Sequence, residues 1–185
     1  MGFKLLNNLP KKHSPPAPYA SEKSYLLILE DDPDQMEMLV SFAMQEMHKL
    51  FQNDDLNQKY KEKIVNMSVI SVTNIESLKN QVTRNKNILF ALLDCNTPDR
   101  KGDKPHDQFV KKGYQITGQH KAVDLVMTHL PNTPITMISS FNRFQKIVLN
   151  HYDKTHNLTM NFIKKKDHLM IKNNINYYLR QHLNQ

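Results

Sequence analysis

The stretch 88–98 constrains the fold of this chain more than any other part of the sequence. Six apolar residues run without interruption into Asp94, and a short polar turn then ends at Pro98. An apolar run of this length is typical of a strand covered on both faces, as in a parallel sheet. Open α/β folds bind their ligands at the carboxyl edge of the sheet. Asp94 is therefore predicted to lie at that edge, although a lone strand-end aspartate can simply cap a turn.

Four other segments have the pattern of a short strand, at 25–29, 65–72, 134–138 and 160–163. A helical pattern follows each strand, including a short one around Phe144, while the polar residues 52–63 fit either a loop or a helical extension. Strands and helices thus alternate five times along the chain. This alternation predicts an α/β fold, a doubly wound five-stranded parallel sheet with helices on both faces.

The sequence also marks where helices begin and which side they bury. Asp32 is suited to an N-cap, Pro33 to the first helical position and Gln35 to the reciprocal place of a capping box. Asn74 and Asp167 are predicted to cap two later helices. The residues expected to face the core are Met36, Leu39, Val40, Ala43, Met47, Leu50 and Phe51, then Ile75, Leu78 and Val82, then Ala122, Val123, Val126, Met127 and Leu130, and finally Ile171, Ile175, Tyr178 and Leu179.

Length and composition predict one domain at 24–185 preceded by a flexible tail at 1–23, in which four prolines lie among polar residues. The formal charge of +7 comes largely from scattered lysines, which is typical of a solvated surface. The single cysteine, Cys95, excludes an internal disulfide and favours a buried, inert thiol in a reducing compartment. The apolar runs are too short for a membrane span or a secretory signal, so a cytoplasmic protein without membrane contact is expected.

Polar residues follow four of the predicted strands. Glu30 and Asp31 come after the first strand, Asp94 after the third, Ser139 after the fourth and Lys165 after the fifth. Carboxylates brought together at one edge raise one another's pKa unless a cation is present, and Mg²⁺ prefers such oxygen ligands. An aspartate can also act as a nucleophile toward phosphorus, with a lysine and a hydroxyl near the phosphoryl oxygens.

Over about residues 25–182 this arrangement resembles a response-regulator receiver domain of two-component signalling. The resemblance rests on Glu30-Asp31, on Asp94 with Asn96-Thr97-Pro98 behind it, on Ser139 and on Lys165. It implies a flavodoxin-like strand order 2-1-3-4-5 and phosphoryl transfer from a histidine kinase to Asp94, with Ser139 and Lys165 contacting the phosphoryl group. It also implies Mg²⁺ bound by Glu30, Asp31, Asp94 and the backbone carbonyl of Asn96. Phe162 matches an aromatic position that changes rotamer with phosphorylation.

The sequence departs from the receiver pattern at Lys166, at Asn96-Thr97, at Ser140 and in the segment 99–117. Lys166 stands where a proline usually follows the lysine, which leaves Lys164 and Lys166 open as alternatives to Lys165. The segment 99–117 is longer than the usual loop and is expected to be an insertion. Either it is disordered or it folds over the acidic pocket and shields the acyl phosphate from water.

The function expected from these features is that of a stand-alone response regulator. It is a signalling protein rather than an enzyme, and its partners are a histidine kinase or phosphotransfer protein and a downstream protein target, without direct DNA binding. Three alternatives remain at this point. They are a degenerate receiver that acts as an unphosphorylated scaffold, an aspartate-nucleophile phosphatase of the haloacid dehalogenase type, and a basic nucleic-acid-binding module. The phosphatase would place a second acid where Asn96 stands, and the nucleic-acid module would bind with strong salt dependence.

Overall fold

A computed structural model describes residues 23–94, 97–98, 100–101, 117–140 and 160–184, and for residues 117–120 and 160 it describes the backbone alone. The predicted tail therefore lies outside the described residues except for Lys23. The same holds for Cys95, Asn96, most of the expected insertion and the helix predicted around Phe144.

The described residues form one sheet of five parallel strands. The strands are β1 (Ser24–Leu29), β2 (Met67–Val72), β3 (Ile88–Asp94), β4 (Ile135–Ser139) and β5 (Met160–Lys164). They lie in the order β2-β1-β3-β4-β5. In the register of the sheet, Asp94 pairs with Ile138, and Ser139 pairs with Lys164. The predicted doubly wound sheet and its flavodoxin-like strand order are confirmed.

Five helices lie in the described part of the chain. They are α1 (Pro33–Phe51), α2 (Gln58–Val65), α3 (Ile75–Arg84), α4 (Thr117–His129) and α5 (His168–Leu183). Because α1 and α2 both precede β2, the simple alternation of one strand with one helix is wrong at this point. None of the described helices is long and apolar enough to cross a membrane.

Helix α2 also corrects the predicted start of the second strand. The Asn57 side chain accepts a hydrogen bond from the Tyr60 N–H at 3.1 Å and so caps this helix. Ile64 is buried in the core, and its neighbour Val65 ends the helix with 69% of its surface exposed. Val65 was predicted to open the strand, but burial of Ile64 by the capped helix moves the start of the strand to Met67.

The predicted helix caps are confirmed. Asp32 Oδ1 accepts hydrogen bonds from the N–H groups of Asp34 at 3.0 Å and Gln35 at 3.3 Å. Asn74 caps α3 and Asp167 caps α5 in the same way. The capping-box role of Gln35 is wrong, because the Asp32 N–H donates to Glu30 Oε1 at 3.3 Å instead. The start of α1 is thus joined directly to the first of the acidic residues.

The core has one layer on each face of the sheet. Alternate residues of β1 and β3 face opposite sides, so Leu26 and Phe90 pack against α1, α2 and α5, whereas Leu27 and Leu93 pack against α3 and α4. Phe90 is stacked on Tyr178 of α5 with ring centroids 4.5 Å apart. The predicted inward positions are largely confirmed, but Phe51 at the end of α1 is 41% exposed.

A carboxylate lies buried between α1 and α5. Glu46 is 4% exposed and packs beside apolar neighbours on the inner side of α1. Its Oε1 lies 2.6 Å from Lys49 Nζ, and its Oε2 accepts a hydrogen bond from Asn176 Nδ2 of α5 at 2.9 Å. Both oxygens therefore have partners, as a buried carboxylate requires.

Candidate functional site

The carboxyl edge of the sheet holds the polar residues that follow the strands. Glu30 comes directly after β1, and its N–H donates to the Val72 carbonyl at 3.0 Å, which continues the pairing with β2. Lys165 comes directly after β5, and its N–H donates to the Ser139 carbonyl at 3.0 Å. Asp94 is the last residue of β3. Backbone pairing thus fixes the position of each of these residues.

The side chain of Lys165 joins two of the carboxylates. Its Nζ donates to Glu30 Oε1 at 2.9 Å, and it lies 2.8 Å from Glu30 Oε2 and 3.0 Å from Asp94 Oδ1. Lys164 and Lys166 are exposed. Of the three consecutive lysines that the sequence left open, Lys165 is the one that reaches the acidic pocket.

The turn after β5 forms without the usual proline. The Asp167 N–H donates to the Lys164 carbonyl at 2.9 Å, so a hydrogen-bonded turn spans Lys165 and Lys166. Asp167 then caps α5 with its side chain. These bonds hold Lys165 in place from both sides, because its own N–H is bonded to Ser139.

Three carboxylates converge at this edge. Glu30, Asp31 and Asp94 each place an oxygen within 4.8 Å of the other two. Glu30 is fully buried, Asp94 is 2% exposed, and Asp31 is half-buried. Like charges this close repel strongly where water is excluded. One lysine ammonium offsets only part of this charge.

The crowding is reflected in the pKa values of the site. The pKa of Glu30 is raised from 4.5 to about 7, chiefly by burial and also by the neighbouring Asp94, against the opposing effect of Lys165. Burial also raises the pKa of Asp31, again with a contribution from Asp94. Burial lowers the pKa of Lys165, but Asp94 and Glu30 together outweigh it, so the Lys165 pKa is raised overall. The pocket thus disfavours its own negative charge.

The donor set fits a hard divalent cation. Within the described residues Glu30 Oε2 accepts no hydrogen bond, although the Lys165 ammonium lies near it. This ion pair compensates the oxygen, but three carboxylates beside one ammonium leave an excess of negative charge that a metal ion would offset. Glu30, Asp31 and Asp94 are the residues that would hold Mg²⁺. The fourth predicted ligand, the carbonyl of Asn96, lies outside the described residues.

Two hydroxyl residues lie buried next to these groups. Ser139 ends β4 and is 3% exposed. Thr97 is also 3% exposed, and its Oγ1 lies 3.5 Å from the Asp94 carbonyl, to which it donates. The Pro98 carbonyl accepts a hydrogen bond from the Ile75 N–H at 3.0 Å, which links the segment after Asp94 to the start of α3. Phe162 is half-buried on β5 beside Met137.

Comparisons with known proteins find similar structures but no similar sequences. No protein-family model matches this sequence, and no curated protein sequence matches it. A response regulator receiver protein from Sinorhizobium medicae superposes with a TM-score of 0.51 at 12% identity, over 88% of this chain and 96% of that one. The RcsB response regulator of Salmonella typhimurium gives 0.51 at 11% identity, over 87% of this chain and 61% of that one. An adenylate cyclase from Rhodopirellula baltica superposes with a TM-score of 0.50 at 12% identity, over 86% of this chain and 90% of that one.

The fold is therefore that of a response-regulator receiver domain, as the sequence predicted. Sequence identities of 11–12% show a shared fold but not a shared chemistry, and one of the similar structures is an adenylate cyclase. Function has to be inferred from the side chains at the carboxyl edge.

Proposed function

We propose that this protein is a response regulator in which Asp94 accepts a phosphoryl group from a histidine kinase or a phosphotransfer protein. The phosphorylated form then binds a downstream protein with altered affinity. The observation that carries the proposal is the 3.0 Å contact between Lys165 Nζ and Asp94 Oδ1, in a pocket that also contains Glu30 and Asp31. A cation next to a buried strand-end aspartate is the arrangement that an acyl phosphate needs.

The transfer step requires few groups. A carboxylate oxygen of Asp94 attacks phosphorus as the bond from phosphorus to the donor's imidazole nitrogen breaks, and the imidazole leaves with the electron pair and takes up a proton. Mg²⁺ bound by Glu30, Asp31 and Asp94 would supply positive charge beside the phosphoryl oxygens. Lys165 supplies a second positive charge there, and the Ser139 hydroxyl is available as a donor.

We propose further that the protein changes only its own phosphorylation state. Hydrolysis of the acyl phosphate returns Asp94 to the carboxylate and ends the signal. The consequence of phosphorylation is a shift between two conformations that differ in partner binding, since the phosphoryl group interacts differently with each. In this role the protein is a switch and not an enzyme acting on other molecules.

Mass spectrometry of the intact protein tests the proposal. Incubation with Mg²⁺ and acetyl phosphate should add one phosphoryl group, and Asp94→Asn should add none. Asp55→Asn is the matched control, because Asp55 is an exposed aspartate before α2, away from the strand ends. Equal labelling of the Asp94→Asn protein would contradict the assignment.

The same experiment separates the proposal from its alternatives. A scaffold without phosphorylation would take up no label with any donor, and chelation of the metal would change nothing. A phosphatase would release inorganic phosphate over many turnovers without accumulating a labelled form. A response regulator should instead accumulate a labelled form that depends on Mg²⁺ and decays slowly.

A further inference from the structure

The two edges of the sheet differ in how they are protected against pairing with another chain. β5 lies at one edge, where Lys164 ends the strand and Lys166 follows two residues later, and both lysines are exposed. β2 lies at the other edge, contains neither a charged residue nor a proline, and pairs with β1 without a shift of register. Lysines, prolines and bulges are the usual means by which proteins protect an edge strand. The strand β2 has none of the three.

The hydrogen bonds between β1 and β2 determine which backbone groups of β2 point outward. The Val72 carbonyl accepts a hydrogen bond from the Glu30 N–H at 3.0 Å, so it faces β1. Backbone direction alternates along a strand, and the N–H and C=O groups of Met67, Val69 and Ser71 therefore point away from β1. In the described part of the chain β2 pairs with β1 alone. These three residues thus offer donors and acceptors to a further strand.

An exposed apolar stripe on α1 lies along the same edge of the sheet. Helix α1 packs over β1 and β2, whereas α5 packs over β3. Phe42 and Glu46 contact α5, so the opposite side of α1 is turned toward the β2 edge. Val40, Met44 and Phe51 lie on that side, because residues four and seven apart share one face of a helix. Met44 is 54% exposed and Phe51 is 41% exposed.

We propose that β2 and this stripe form a two-fold interface between two copies of this chain, in which the β2 strands pair antiparallel and the two sheets join into one. In an antiparallel ladder, outward-facing residues of one strand lie opposite outward-facing residues of the other. Centring the pair on Val69 places it opposite the partner's Val69, and places Met67 opposite the partner's Ser71. Every outward-facing residue of β2 then has a partner. The two-fold axis is perpendicular to the sheet, so both α1 helices lie on the same face and run antiparallel.

The α1 helices favour a second copy over an unrelated strand. Neighbouring strands lie about 4.8 Å apart, so a helix over β1 and β2 would lie about 10 Å from its partner, which is a helix-packing distance. Met44 is close to the middle of α1 and therefore close to the axis. Glu37 and His48 are exposed on the same side of α1, toward its two ends, and each Glu37 would lie beside the partner's His48. The surface is thus complementary to itself, as a two-fold interface requires.

Sedimentation equilibrium of the full chain tests the interface. The wild type should form a dimer that dissociates on dilution. Met44→Glu should raise the dissociation constant about tenfold or more, because two carboxylates would meet near the axis. Met170→Glu is the matched control, since Met170 is a methionine of similar exposure, 52%, on α5, and this change should leave the dissociation constant unchanged. Equal loss of the dimer in both variants would overturn the proposal, because a general charge effect would explain it.

A change in the backbone of β2 tests the strand pairing separately from the helices. The Ser71 N–H points away from β1, so Ser71→Pro removes an outward donor and leaves the hydrogen bonds to β1 in place. Ser71→Ala is the control, because it keeps the N–H. Ser71→Pro should raise the dissociation constant about tenfold, since it removes a hydrogen bond on each side of the axis, and Ser71→Ala should not change it. A dimer that survives Ser71→Pro but not Met44→Glu would overturn the strand pairing.

Amide hydrogen exchange of the wild-type protein covers the case in which a variant does not fold. The Val69 N–H should exchange slowly at concentrations where the dimer forms and rapidly after dilution. The Ile70 N–H, which faces β1, should exchange slowly at both. A wild type that is monomeric at every concentration would overturn the proposal. Slow exchange of Val69 in a monomer would also overturn it, because another segment of the chain would then cover the edge.

Discussion

Glu30 and Glu46 are both buried glutamates, but their surroundings differ. Glu46, between α1 and α5, is 4% exposed, with one oxygen near Lys49 Nζ and the other bonded to Asn176. Glu30, at the carboxyl edge of the sheet, is fully buried beside two further carboxylates, and the Lys165 ammonium 2.8 Å from its Oε2 also contacts Asp94. The pKa of Glu30 is raised to about 7, chiefly by burial.

Burial alone therefore does not distinguish a structural carboxylate from a functional one. The neighbouring charges do, because a buried carboxylate that has hydrogen-bond partners and no like charge beside it is stable, while one crowded by like charges is held at a cost. Glu46 joins two helices and needs nothing further. Glu30 lies in a pocket with excess negative charge, which a cation would relieve.

The largest expected difference between the carboxyl edge of the sheet and the Glu46 region is in Mg²⁺ affinity. Asp31→Ala removes one of the three converging carboxylates and should weaken Mg²⁺ binding by about 100-fold. Loss of a residue that only supports a metal ligand costs about 10- to 100-fold in affinity, and loss of a ligand should cost at least as much. Glu46→Gln should leave Mg²⁺ affinity unchanged. Isothermal titration of both variants measures this. Equal affinity in Asp31→Ala and the wild type would show that the carboxylates do not hold the metal.

Stability without metal should change in opposite directions in the two regions. The folded-state pKa of Glu30, about 7, lies above the ordinary value of 4.5, so the folded state favours the protonated carboxyl. The stabilisation that the folded state gains from the protonated carboxyl is fully present below about pH 4.5 and is lost as the pH rises through 7. The pKa difference corresponds to about 3 kcal/mol at most. Glu30→Gln should therefore be more stable than the wild type by about 2 kcal/mol at pH 8, and by little at pH 5.

Glu46→Gln is the matched control for this experiment. It should lower the free energy of unfolding by about 1–2 kcal/mol at pH 8, because the charge-assisted bonds to Lys49 and Asn176 are weakened. Urea denaturation in the presence of a chelator gives both values. Destabilisation of similar size in both variants at pH 8 would show that Glu30 is not in a repulsive environment.

The smallest expected effect is a change of chemical shift away from the site. Addition of beryllofluoride with Mg²⁺ should move the resonances of Phe162 and Tyr178. Phe162 lies three residues before Lys165 on β5, and the Tyr178 hydroxyl accepts a hydrogen bond from Asn161 Nδ2 at 3.1 Å. Resonances of Lys49, near Glu46 on the outer side of α1, should move less. If Phe162 and Tyr178 stay in place in a verified complex, the last strand and helix do not take part in the switch.

Local signals in the sequence predicted much of the fold. The apolar run before Asp94 gave a strand covered on both faces, and the caps at Asp32, Asn74 and Asp167 are set by residues within three positions of one another. The convergence of Glu30, Asp31, Asp94 and Lys165 also followed from sequence, because parallel strands end at one edge. Sequence missed the burial of Glu46, although its spacing from Leu39, Ala43 and Leu50 is that of the buried face of α1.

The sequence by itself determined the succession of strands along the chain, three helix starts and the groups that follow each strand, because those features depend on neighbours along the chain. Tertiary structure decided which lysine enters the pocket, since hydrogen bonds from Lys165 to Ser139 and from Asp167 to Lys164 set the turn. It also decided that α2 is a separate helix with Val65 outside, through burial of Ile64. Glu46 is bonded across 130 residues to Asn176, and Lys165 across 135 to Glu30. Contacts at such separation depend on how the sheet and helices pack, which no short stretch of sequence records.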